Sequence, residues 1–157
     1  DQPPFSSNVR SSVRIKQSPK RHFVDPSIAA GLLGVTANSL IEDLQTFGFL
    51  FEALCEHDLR IYAESFGGKL YHYQDYKNRE IDAVVEYPDG RWGAFEIKLG
   101  ANQIDAAAEG LLKLKKEFEA DDKARPPAYL CVLCGMSNAA YTRPDGVIVI
   151  PLTALKN

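Results

Sequence analysis

The sequence predicts an α/β domain, a mixed β-sheet flanked by helices. Three observations support that class. Apolar residues recur at three and four over roughly 39–65 and again over about 103–120, the period of amphipathic helices. Between these segments three strand-like runs follow one another as a meander. Two more such runs come near the end of the chain.

The elements follow in order. Asp25-Pro26-Ser27 reads as a helix start, with Asp25 as cap and Pro26 in the first turn, and Gly34 ends that helix after Leu33. Asn38 or Ser39 would cap the long helix, whose stripe runs through Leu40, Leu44, Phe47, Leu50, Phe51, Leu54, Cys55, Leu59 and Tyr62. Gly67-Gly68 stops it. Strands are expected over 69–74, 79–87 and 91–99. The helix at 103–120 would bury Ile104, Ala107, Ala108, Leu111, Leu112, Leu114 and Phe118. Strands at 128–134 and 146–150 come next, and Pro151 begins a short terminal helix.

The 157 residues include 18 basic and 21 acidic side chains, a formal charge of −3, and 45% are hydrophobic. Such a chain suits one domain with a core of its own. Its total charge argues against a highly basic nucleic-acid binder, though not against a local basic patch. No apolar run approaches the ~20 residues of a membrane span, so no membrane partner is expected. The polar, prolyl start does not resemble a secretory signal. Cys55, Cys131 and Cys134 are odd in number and lie among apolar residues, which points to reduced, buried thiols in a cytoplasmic protein. Cys131 and Cys134 form a lone C-x-x-C, and His22, His57 and His72 do not complete a zinc spacing.

Charge is unevenly distributed. Between Gln2 and Val24 stand Arg10, Arg14, Lys16, Lys20 and Arg21 with no acid, among serines and prolines. Residues 1–24 therefore read as a basic linker or arm with a short extended piece at Val13–Lys16, and residues 25–157 as the α/β domain. The arm is either a phosphate-contacting element or a solvated linker from a missing upstream region, and the lack of any specific motif in its spacing favours the linker.

The chemistry concentrates on one hairpin. Pro88 fixes φ near about −65°, which excludes a type I′ turn there, and Gly90 supplies the left-handed residue of a three-residue loop. That loop pairs Tyr87 with Arg91, which sets Asp82 opposite Glu96 and Glu80 opposite Lys98. Ile81, Ala83, Val85, Phe95, Ile97 and Leu99 then form a core face, and Glu80, Asp82, Glu96 and Lys98 the other. Opposed carboxylates, with Cβ atoms about 5 Å apart, repel each other. Two readings of this pair stay open: a divalent cation held by the carboxylates, or a solvated face on which Lys98 neutralises Glu80 or Glu96. Lys98 points the same way as Glu96, where it could position or deprotonate a water or stabilise phosphate charge. Glu52, with Gly48 and Glu56 at ±4, marks a polar notch on the long helix and is the candidate third acid.

Glu52 on a helix, Asp82 on a strand and Glu96-Ile97-Lys98 on the next resemble the pattern of the PD-(D/E)xK nuclease superfamily. More widely, Pro4-Phe5-Ser6-Ser7-Asn8-Val9, Ser18-Pro19-Lys20-Arg21-His22-Phe23-Val24-Asp25, Gly48-Phe49-Leu50-Phe51-Glu52 and Arg79-Glu80-Ile81-Asp82 are similar to the C-terminal domain of unknown function that follows the ATPase module in a group of bacterial and archaeal AAA-type ATPases. The resemblance implies a restriction-endonuclease-like sheet and an ATP-binding motor upstream, with no phosphate-binding Gly-rich loop in this chain. It implies that Asp82, Glu96 and Glu52 hold Mg²⁺ or Mn²⁺, that Lys98 assists the attacking water, and that DNA is the substrate. Superfamily members that have lost catalysis leave a second reading, a silent nucleic-acid- or protein-binding domain that regulates the ATPase. Gln103 is a secondary phosphate-side candidate, weighed against a plain helix-start residue. Tyr71, Tyr73 and Tyr76 with His72 are weighed as a base-stacking surface against ordinary core and surface roles.

Overall fold

The structure is a computed structural model, and it describes residues 1–6 and 18–155. Helix α1 spans Pro26–Leu33. Asp25 accepts the backbone N–H of Ser27, and Gly34 closes the helix in the left-handed region at φ 64°, as the sequence predicts.

The single helix expected over 39–65 is two. Helix α2 spans Ala37–Glu42 and is capped by Thr36, which forms a reciprocal capping box with Ser39. Asp43 then leaves helical geometry, and its carboxylate caps α3, Leu44–Ser65, through the N–H and hydroxyl of Thr46. A helix end and a helix start share one residue, and the apolar spacing runs across the break without registering it.

Strands β1 (Lys69–Gln74), β2 (Glu80–Glu86) and β3 (Trp92–Lys98) form an antiparallel meander. A 3-10 turn at Ala101–Gln103 leads into α4, Ile104–Glu119. This crossover carries the chain to β4 (Tyr129–Cys134), which lies parallel to β3. Strand β5 (Tyr141–Thr142), which the sequence does not announce, pairs antiparallel with β6 (Ile148–Pro151), and β6 runs parallel to β4. The sheet is six-stranded and mixed, in the order β1-β2-β3-β4-β6-β5. The terminal helix is a 3-10 turn at Leu152–Ala154.

Both faces of the sheet are covered. Helix α3 packs on one through Phe51, Cys55, Leu59 and Ala63, against Leu70, Ala83, Val85, Phe95, Ile97, Cys131 and Leu133. Helix α4 packs on the other through Ile104, Ala107, Ala108, Leu111, Leu114 and Phe118, against Tyr73, Ile81, Val84, Trp92, Ala94, Leu130 and Val132. The second face is thus apolar along most of its length, and the polar face expected from strict alternation survives only at the hairpin end far from its turn. All three cysteines are buried and free, and burial pushes the Cys131 thiol up to about 12.

Residues 1–6 were expected in a solvated linker. Instead Gln2 and Phe5 are buried. Phe5 packs against Trp92 and Tyr71, its N–H donates to the His72 carbonyl at 2.7 Å, and the His72 N–H donates to the Pro3 carbonyl at 3.1 Å. Gln2 and Lys20 form an isolated antiparallel bridge. The short extended piece read at Val13–Lys16 lies outside the described residues. Tyr73 and His72 are core, Tyr71 is half-buried, and of the proposed stacking group Tyr76 alone is exposed.

Candidate active site

The hairpin closes as its turn residues dictate. Gly90 adopts φ 77°, its N–H donates to the Tyr87 carbonyl at 2.9 Å, and the Tyr87 N–H donates to the Arg91 carbonyl at 2.8 Å. The register then runs Glu86–Trp92, Val85–Gly93, Val84–Ala94 and Ala83–Phe95. One step further, Asp82 is level with Glu96.

At that step the ladder changes character. On its other edge β2 carries a bulge: Tyr71 pairs with Val84 but Tyr73 with Ile81, so Asp82 and Ala83 together oppose His72. Ile81 consequently joins the α4-side core rather than the α3-side face to which alternation assigns it. Asp82 turns toward α3, where it borders a cavity of about 610 Å³ with Lys20, Glu52, Ala53 and Glu80. Its carboxylate accepts the Ile97 N–H at 2.8 Å and the Lys98 ammonium at 3.2 Å. Lys98 also pairs with Glu96 at 2.8 Å. The side chains of Asp82, Glu96 and Lys98 are 15%, 14% and 28% exposed, which makes this a screened but reachable ion cluster.

The electrostatics follow from that crowding. Burial first, and the neighbouring Asp82 charge second, push the Glu96 carboxyl up to about 8 against the pull of Lys98. Burial works against the Lys98 charge, but Asp82 and Glu96 more than offset it and hold its pKa above the ordinary lysine value. Lys98 therefore keeps its positive charge through the neutral range.

Glu52 lies on α3 beside this cluster. It borders the cavity lined by Asp82 and a second one, of about 480 Å³, that Lys98, Gly100 and Gln103 also line. Its carboxylate is taken by Lys20, whose ammonium pairs with Glu52 and, at 3.4 Å, with Glu56 one turn on. Glu56 is 1% exposed, and its second oxygen lies against His22 Nδ1. Burial lowers the Lys20 pKa, but Glu56, Glu52 and Asp82 outweigh it and leave it raised. Among the described residues no group of three or more His, Cys, Asp or Glu is gathered closely enough to hold a metal ion. Gln103 turns back on its own loop, its Oε1 accepting the Gly100 N–H at 3.1 Å.

Lys20, His22 and Glu56 are members of this neighbourhood that the sequence did not nominate. The signal for them was the Glu52/Glu56 pair at i and i+4, two acids on one helix face that need a cation.

A family model described as a domain of unknown function (DUF4143) matches residues 47–155. No curated protein and no solved structure matches the chain.

Proposed function

This chain belongs to the DUF4143 family, and from that premise we propose that it is a nuclease-like domain that hydrolyses DNA phosphodiesters with Mg²⁺ or Mn²⁺, at the C-terminal end of an AAA-type ATPase. The observation that carries this reading is the meeting of Asp82, Glu96 and Lys98 at the open end of the β2–β3 ladder. A mixed sheet with helices on both faces supports a restriction-endonuclease-like fold.

The donor set fits a hard divalent cation. Asp82 and Glu96 offer carboxylate oxygens; burial first and the Asp82 charge second disfavour ionised Glu96, and a cation would offset both. Asp82 and Glu96 would hold the ion, with Glu52 as a third oxygen donor once freed from Lys20. When bound, the ion supplies Lewis-acid polarisation of a phosphate oxygen and an acidified water. Lys98 Nζ, fixed between two carboxylates, presents positive charge to the phosphate as negative charge develops on it. Asp82 is itself positioned by the Ile97 N–H, so its carboxylate orientation is set by the backbone of the strand that carries Glu96 and Lys98.

Incubation of the chain with single- and double-stranded DNA and Mn²⁺ tests the reading. Cutting that Asp82→Asn and Lys98→Met each abolish supports it. No cutting under any condition, or cutting that survives Asp82→Asn, removes it.

A second reading, a catalytically silent nucleic-acid- or protein-binding module that regulates the ATPase, is favoured by one specific observation. Lys20 occupies Glu52, so the third acid is not free. Salt-dependent DNA binding that persists in chelator, without cleavage, would support it.

A further inference from the structure

Glu52 has a counter-ion that comes from outside the hairpin and outside its own helix. Lys20 reaches it from the segment before α1, across 32 positions of sequence. That segment is held beside β1 by two backbone hydrogen bonds, Gln2 N–H to the Lys20 carbonyl at 2.8 Å and Lys20 N–H to the Gln2 carbonyl at 3.1 Å. The bridge is isolated and does not continue as a ladder.

The Lys20 ammonium lies where a cation is in demand. Glu52 and Glu56 contact it directly, and the charge of Asp82 reaches it. It borders the same cavity as Asp82 and Glu52, and its side chain is 35% exposed, so a path out exists. Glu56 does not depend on Lys20 alone, because His22 also lies against its carboxylate. That second contact is imperfect. The far side of that ring is unsatisfied, since His22 Nε2 is buried with no hydrogen-bond partner among the described residues. Buried polar atoms without partners are uncommon in a finished arrangement.

We propose that Lys20 is a tethered counter-ion that holds Glu52 away from the Asp82–Glu96 pair until a divalent cation displaces it. The inference rests on the metal-site reading above and assigns that site a regulator within the same chain. In the Lys20-bound state two acids remain for a metal. In the displaced state Glu52 joins them, Lys20 moves toward solvent, and His22 keeps the segment anchored at Glu56. Anything that pulls the N-terminal segment would then raise affinity for the metal, and bound metal would loosen that segment. The coupling is reciprocal by linkage.

The test is amine acylation of the unmodified chain, read by mass spectrometry, with and without Mn²⁺, with exposed Lys77 as internal reference. Lys20 labelling is expected to rise several-fold on adding Mn²⁺ while Lys77 labelling stays constant. In parallel, Mn²⁺ affinity is measured by calorimetry for the wild-type chain, for Lys20→Met, and for Lys20→Met combined with Glu52→Gln. Lys20→Met is expected to bind at least tenfold tighter, and the added Glu52→Gln to cancel that gain. Mn²⁺ that binds with no change in Lys20 labelling overturns the tether and leaves the metal site standing. No Mn²⁺ binding by any of these proteins overturns both. If Lys20→Met does not fold, the labelling of the wild-type chain decides alone.

Discussion

Asp82 Oδ2 stands 2.8 Å from the backbone nitrogen of Ile97 and takes the place that a carbonyl of β2 would fill in a continuing ladder. A side chain thus finishes the hairpin, and the same side chain accepts from Lys98. Structure and chemistry share one carboxylate, so a single substitution can separate them.

Asp82→Ala leaves the Ile97 N–H and the Lys98 ammonium short of an acceptor. It is expected to cost about 1–3 kcal/mol in urea denaturation. Asp82→Asn keeps an acceptor oxygen for Ile97 and should fold close to wild-type stability while losing any Mn²⁺-dependent cutting. Equal stability of the alanine and asparagine variants would show that the Ile97 bond adds nothing.

Glu96 makes stability depend on pH in a definite direction. Its folded pKa, about 8, lies above the ordinary glutamate value of 4.5, so the folded chain binds more protons than the unfolded chain between these values. Its contribution is complete below about pH 4.5 and is lost as pH rises through about 8. In chelator, the unfolding free energy of the wild-type chain from urea denaturation should fall across that window relative to Glu96→Gln, by about a few kcal/mol at most. Parallel pH profiles for the two proteins would refute the assignment.

Gly93 is required by its neighbour. A Cβ there would overlap the ring of Tyr129 on the adjacent strand, whose hydroxyl lies 3.1 Å from that of Tyr87. Gly93→Ala should destabilise by about 3 kcal/mol through overpacking. Adding Tyr129→Ala should recover part of that loss, and a thermal-melt mutant cycle measures the coupling.

Asp75 organises the loop that delivers β2. It is 1% exposed and accepts from the backbone of Lys77 at 2.8 Å, the backbone of Arg79 at 3.1 Å and the Arg79 guanidinium at 2.6 Å. Burial alone would raise its pKa, but the bonds from Arg79 win and lower it. Asp75→Ala should cost about 3 kcal/mol. If Asp82 is placed by this loop, the variant should also weaken Mn²⁺ binding, which calorimetry would show.

What could be read from the sequence was local. Pro88 and Gly90 are adjacent to the register they set, and Asp25, Pro26 and Gly34 sit at the ends of the helix they bound. The parts that were missed depend on distant partners. Phe5 is core because Trp92 offers it an aromatic surface, and no nearby pattern announces that. Asp82 turns toward α3 because β1 is one residue short opposite β2, a mismatch visible only once the two strands are paired. Lys20 looked like one of several arm cations until the fold brought it to Glu52. The break at Asp43 was hidden because its carboxylate restarts the helix at once, so the apolar stripe hardly shifts.

The prolines at the start of the chain protect the sheet from its own kind. Strand β1 is an edge, and an open edge is a template for another copy's backbone. Here Pro3 and Phe5 bracket His72 and take both of its main-chain groups, while Pro3 and Pro4 have no N–H with which to recruit a further strand. At the opposite edge β5 is only two residues long. Both rims of the sheet are therefore poor seeds for chain-to-chain growth. Trimming the first six residues would unmask β1 and should lower the concentration at which the protein stays in solution.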